Sequence, residues 1–100
     1  MILSRPDQLN ALNSEMMSEI ENLSRDFLNY EDIRVVIFSG QGKHFSAGMD
    51  LKDDRVISKN LVKRRREVGL GGRMIKAILE INQITIASIH GVALGGGACI

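Results

Sequence analysis

The 100 residues contain one cysteine, Cys99, so no internal disulfide can form, and the thiol fits a reducing compartment or simple burial. Charge of one sign is also missing. Thirteen Lys and Arg stand against 12 Asp and Glu, a net +1, so no global field draws the chain to nucleic acid or a membrane surface. The start, MILSRP, is too short an apolar run for a secretory leader. His44, His90 and Cys99 stand apart with no metal-ligand spacing between them. Gly40-Gln41-Gly42 lacks the third glycine of a dinucleotide fingerprint, because Lys43, His44 and Phe45 follow. Neither Gly48 nor Gly97 precedes the Lys-Ser/Thr pair of a phosphate loop. Phe45-Ser46-Ala47-Gly48 lacks the first glycine of a nucleophile elbow, which leaves Ser46 a small loop residue. Disulfide scaffolds, metal centres, nucleotide folds and serine hydrolases are set aside on these grounds.

What is present is ordinary globular composition, 44% apolar and 25% charged, enough for one domain or part of one. Met1 to Ser4 reads as the end of a strand, stopped by Arg5-Pro6-Asp7. Asn10 to Ser14 suits a helix N-terminus, with Asn13 or Ser14 as the cap. Met16, Ile20, Leu23 and Phe27 then predict an amphipathic helix to about Asn29, with Met16 and Met17 as packing rather than as a soft ligand pair. Ile33 to Phe38, IRVVIF, predicts a buried strand of a parallel sheet. A loop over Gly40 to Gly48 follows, then a turn at Met49-Asp50-Leu51. Lys63 to Arg66 is an unbroken basic run, and Gly69, Gly71 and Gly72 predict an irregular segment after it. Helical spacing returns with Met74, Ile75, Ile78 and Leu79. Ile84 to Ile89 is a second β-branched strand. The charge-free stretch from Ile84 to Ile100 reads as strand plus glycine loop, not as a spanning helix. The order strand, helix, strand, loop, helix, strand, loop is α/β.

Two strand-to-loop junctions carry the chemistry. The first is Ser46-Ala47-Gly48-Met49-Asp50. The second is Gly91 to Ile100, GVALGGGACI, where Gly95, Gly96 and Gly97 stand between a strand and an incipient helix. Glycine lets other atoms approach the backbone closely, and peptide N–H groups at such a junction are free to face an anion.

Three motifs occur in order: Arg5-Pro6 with Leu9-Asn10-Ala11-Leu12, then His44-Phe45-Ser46-Ala47-Gly48-Met49-Asp50-Leu51, then His90-Gly91-Val92-Ala93-Leu94-Gly95-Gly96-Gly97. Together they resemble the crotonase superfamily, the enoyl-CoA hydratase/isomerase family. The resemblance implies an α/β spiral of repeated ββα units, with residues 1–100 the N-terminal part of a single domain, an opening hairpin before Met1 and a second half after Ile100. It implies an acyl-CoA thioester as substrate and partner, coenzyme A as part of that substrate rather than a separate cofactor, and a homotrimer or hexamer. No metal, DNA or membrane partner is expected, and the compartment is cytoplasm or mitochondrial matrix. Carried over by position, the peptide N–H groups of Met49 and Gly96 form the oxyanion hole that stabilises the thioester enolate. Ala11, Ala47, Asp50, Leu51 and Gly95 fall at substrate- or CoA-binding positions. For Ala11 and Leu51 core packing is the alternative, and Asp50 is read as a cap for the turn that orients the Met49 amide. Lys63 to Arg66 is first a solvated helix face, with CoA phosphates or RNA as further possibilities.

One departure changes the expected reaction. Cys99 stands two residues after the glycine triplet, where the family's hydratases carry their first glutamate. A thiol substitutes poorly for a carboxylate in general acid–base work. Double-bond isomerisation through one downstream carboxylate is therefore expected ahead of hydration. The alternative is a CoA- or RNA-binding module that kept the fold without the chemistry.

Overall fold

Helix α1, Ser14–Asp26, begins where Asn13 caps it: the Asn13 side-chain oxygen accepts the Met16 N–H at 2.8 Å. Its buried stripe is Met16, Met17 and Ile20, while Leu23 is 47% exposed, so the inward face is rotated from the predicted one. The helix tightens into a 3-10 turn over Phe27–Asn29, which ends helical structure where the sequence suggested but not in α form. In the computed structural model, residues 1–53 and 61–100 are described, except for the side chains of 63, 64 and 66–68.

Strands β1 (Ile2–Leu3), β2 (Val35–Gly40) and β3 (Ile84–Ser88) form one parallel sheet in the order β1-β2-β3. Ile2 lies opposite Ser39, and Val35 opposite Ile84. Parallel neighbours need crossovers, and α1 and α2 (Leu61–Leu79) supply them. The two helices pack on each other and on the sheet face carrying Val36 and Phe38, with Glu21 reaching Arg73 at 3.5 Å across the helix pair. A four-residue helix, α3 (Gly96–Cys99), follows β3.

Two expectations are corrected. Gly69, Gly71 and Gly72 lie inside α2, not in an irregular segment. A glycine in a helix costs about 1 kcal/mol against alanine. Burying Leu70, Met74 and Ile78, at 6%, 2% and 9% exposure, returns about 1.5–3 kcal/mol each. Burial outweighs propensity. The second correction concerns the sheet: β2 is covered on one face only, with Val35 and Ile37 42% and 52% exposed on the other, and every residue of β3 is exposed, Ile84 and Ile86 at 67% and 48%. An unbroken apolar run signals burial without saying which residues provide the cover.

Beyond the C-terminal end of each strand, after a 3-10 turn at Pro6–Gln8 in the case of β1, the chain runs on into a short strip. These strips pair in the same order as the strands: Leu12 bridges Met49, and Ser46 bridges Ala93, both parallel. Strand, bridged strip and helix together make the ββα unit. No helix among the described residues is long and apolar enough to cross a membrane.

Candidate functional site

The strips lie off the carboxyl edge of a parallel sheet, where open α/β sheets place their ligands. Phe45, fully buried, anchors the middle strip, and its N–H is shared between the carbonyls of His90 at 2.9 Å and Val92 at 3.1 Å. Ser46 Oγ donates to the Asn10 carbonyl at 2.8 Å and accepts the Gly48 N–H at 3.2 Å, tying the first strip to the second. Asn10 is wholly buried with φ 52. Its amide donates to the carbonyls of Gln41 at 2.9 Å and His44 at 2.8 Å, and its oxygen accepts the Arg5 N–H at 2.8 Å. Asparagine tolerates this left-handed backbone better than most residues. Both histidines act within the loops: His44 Nδ1 accepts the Val92 N–H at 3.1 Å, and His90 Nε2 lies 2.8 Å from the Gly42 carbonyl.

This scaffold aims two peptide groups. The Gly48 carbonyl accepts the Leu12 N–H at 2.7 Å, and the next amide, Asp50, donates to Leu12 at 2.9 Å. The C=O and N–H of one peptide unit point in opposite directions, so the Met49 N–H faces away from Leu12. On the third strip, Gly95 has φ 50 and ψ −123, the angles of the first central residue of a type II′ turn. The Gly97 N–H closes that turn on Leu94 at 2.8 Å. The Gly95 carbonyl accepts from Ala98 at 3.0 Å, so the Gly96 N–H points away from α3. Each amide thus follows a glycine of positive φ, Gly48 at 93 and Gly95 at 50. The two amides are neighbours: a Cβ built on Gly96 would lie 3.9 Å from the Met49 nitrogen. Neither N–H donates a hydrogen bond among the described residues. Gly97 completes the triplet for another reason, since a Cβ there would lie 2.6 Å from the Ser46 carbonyl oxygen.

Next to the Met49 arm is a cleft of about 340 Å³ whose walls include Leu9, Ala11, Met49, Asp50, Leu51 and Lys52. It brings two of the strips to one ligand-sized space.

A family model described as enoyl-CoA hydratase/isomerase matches residues 1–100. The chain belongs to the enoyl-CoA hydratase/isomerase family. Over 97% of its length it is 33% identical to a peroxisomal Delta(3,5)-Delta(2,4)-dienoyl-CoA isomerase of Arabidopsis thaliana. Over 95% it is 32% identical to a short-chain-enoyl-CoA hydratase of Clostridium acetobutylicum. The fold superposes on the crystal structure of an enoyl-CoA hydratase from Bacillus anthracis with a TM-score of 0.88 at 32% identity, covering 98% of this chain. The chain spans 38%, 36% and 38% of those three proteins respectively.

Against the enoyl-CoA hydratase/isomerase motifs, Ala11, Met49, Asp50 and Leu51 come together at the cleft. Leu51 is 74% exposed. Ala47 is half-buried and held by its N–H to Leu9 at 3.0 Å, outside the cleft walls. From the other strip Gly96 meets Met49, and Gly95 meets Gly48, whose Cα would lie 4.0 Å from a Cβ built on Gly95. Asp50 does cap a turn, its Oδ1 accepting the Lys52 N–H at 3.0 Å. Cys99 is exposed at the end of α3. The backbone of residues 63–66 lies in α2, while the side chains of Lys63, Arg64 and Arg66 fall outside the described residues. Among the described residues no three His, Cys, Asp or Glu side chains gather as a metal site would require. Sequence reasoning missed the work of Asn10, read as part of a helix start and of the first motif, and of Arg5, read as a strand stop and as the head of that motif. Their signal was indirect: a polar residue inside an apolar Leu-Asn-Ala-Leu stretch, and an arginine whose partner acid, Asp50, lies 45 residues on while Asp7 stands beside it in the chain.

Proposed function

We propose that the protein processes acyl-CoA thioesters, with the Met49 and Gly96 N–H groups receiving the thioester carbonyl oxygen. One observation carries the reading: two neighbouring peptide donors, each aimed by a positive-φ glycine and each without an acceptor among the described residues. When a proton leaves the carbon next to the thioester, charge moves to that oxygen, and each preorganised donor contributes on the order of 3 kcal/mol. Ala11, Asp50 and Leu51 would border the thioester and its pantetheine arm in the cleft beside Met49, with Ala47 and Gly95 supporting the two arms. Coenzyme A takes part only as the substrate's carrier.

The reaction proposed is the shift of a β,γ double bond to the α,β position. A carboxylate, assigned to sequence C-terminal of Ile100, removes a proton from the α carbon. The resulting dienolate rests its charge in the hole, and the same acid returns the proton to the γ carbon. The exposed Cys99, at the position of the hydratases' first glutamate, favours this over hydration. The proposed assembly is a homotrimer or hexamer.

The test assays the protein as the cell makes it on 3-hexenoyl-CoA and crotonyl-CoA. Conversion of the first to 2-hexenoyl-CoA with little hydration of the second supports the proposal. Comparable hydration of crotonyl-CoA overturns the isomerase preference. Acyl-CoA binding without turnover of either favours the non-catalytic module.

A further inference from the structure

Arg5 reaches neither amide donor, yet its contacts join the pieces of chain on either side of one of them. Its Nη1 donates to the Ala11 carbonyl at 2.6 Å and pairs with Asp50 Oδ2 at 3.0 Å. Its own backbone is fixed to the same strip, because its carbonyl accepts the N–H groups of Gln8 at 3.0 Å and Asn10 at 2.9 Å. Asp50 is held as tightly. Its Oδ1 takes the Lys52 N–H at 3.0 Å, and its carbonyl takes the Asp53 N–H at 3.2 Å. Asp53 in turn accepts the Ser14 N–H at 2.8 Å, which ties the turn to the start of α1. The Arg5 and Asp50 side chains are 24% and 12% exposed, so removing either leaves a poorly solvated charge behind.

We infer that Arg5 is a positioning residue for the Met49 donor. One guanidinium nitrogen holds the strip that carries Leu9 and Ala11 to the residue immediately after Met49. It thereby sets where the donor stands relative to a thioester lying against that strip. The inference rests on the function proposed above. A displacement of about 1 Å in a preorganised site costs on the order of 100-fold in rate, so a bridge of this kind affects turnover more than binding.

The test uses Arg5→Met, Asp50→Asn and the double variant in the protein as the cell makes it, on whichever of 3-hexenoyl-CoA and crotonyl-CoA the wild type turns over. Each single substitution lowers kcat on the order of 10- to 100-fold. KM changes by less than about threefold, and the double variant is no slower than the slower single one. Raman spectra of bound acyl-CoA supply the signature: the thioester carbonyl stretch, lowered by the wild type, returns toward its free value in Arg5→Met. Should that variant not fold, Asp50→Asn, which keeps an oxygen for the Lys52 N–H, carries the same expectations. A lowered Tm with unchanged kcat and carbonyl frequency overturns the positioning role, as do single losses that multiply in the double variant. A wild type that neither turns over nor shifts the carbonyl overturns the functional reading, and the role of Arg5 with it. A wild type that does both while Arg5→Met behaves identically overturns only the role of Arg5.

Discussion

Gly96→Pro removes one peptide N–H, and its ring adds a Cβ 3.1 Å from Leu12 Cδ1, a contact that an alanine there shares. Gly96 is the first residue of α3, a position where the fixed φ of proline is compatible with a helix. The residue before it, Gly95, has ψ −123, outside the α region that a following proline disfavours. Because the Gly96 N–H meets no acceptor among the described residues, the fold gives up no internal hydrogen bond. The reaction loses one of two donors, about 3 kcal/mol of enolate stabilisation, or on the order of 100-fold in kcat. Gly96→Ala separates the donor from the space around it. It keeps the N–H but places a methyl 3.1 Å from Leu12 Cδ1 and 3.9 Å from the Met49 nitrogen. Leu12 must yield by a few tenths of an ångström, so the alanine variant should lose less than the proline one. Steady-state kinetics on the thioester, with calorimetric titration of an unreactive acyl-CoA, distinguishes rate from affinity. Turnover collapses in Gly96→Pro while binding weakens modestly. Wild-type kcat in that variant would remove Gly96 from the mechanism. Equal losses in kcat and affinity would make it a ground-state contact.

Asn10→Ala should destabilise the protein by about 2–3 kcal/mol, since it strands two partly buried carbonyls and one N–H and leaves alanine at a left-handed φ. Denaturant unfolding reads this, and a loss below about 1 kcal/mol would show that the amide does not hold the loops. Gly72→Ala should do the reverse. Its Cβ meets nothing within 4 Å, so helix propensity alone predicts a gain of about 0.5–1 kcal/mol. Thermal unfolding should show a higher Tm at unchanged kcat, and a lower Tm would contradict the packing described around α2.

The elements were legible where one local rule decided them. Asn13 before a run of apolar residues at helical spacing marks α1, and the β-branched runs mark β2 and β3. Legibility failed where distant contacts decide. The rotation that buries Met17 and exposes Leu23 is set by α2, whose buried Leu70 and Met74 lie more than forty residues away in sequence. The glycines of α2 look like breakers until the burial of Leu70 and Met74 on either side is counted. The positions of Met49 and Gly96 came from motif resemblance. What turns them toward open space, the pairing of Leu12 with Gly48 and the turn at Gly95, has no signature in either loop alone. Arg5 and Asp50 are neighbours only because the strips are.

The two donors belong to peptide groups, and a peptide N–H does not titrate in the range where proteins work. Under this reading, the capacity of the Met49–Gly96 pair to stabilise an enolate is the same at pH 5 as at pH 9. A bell or a slope in the pH profile of turnover would then belong to the group that carries the proton, which makes that profile a direct view of the acid these two amides assist.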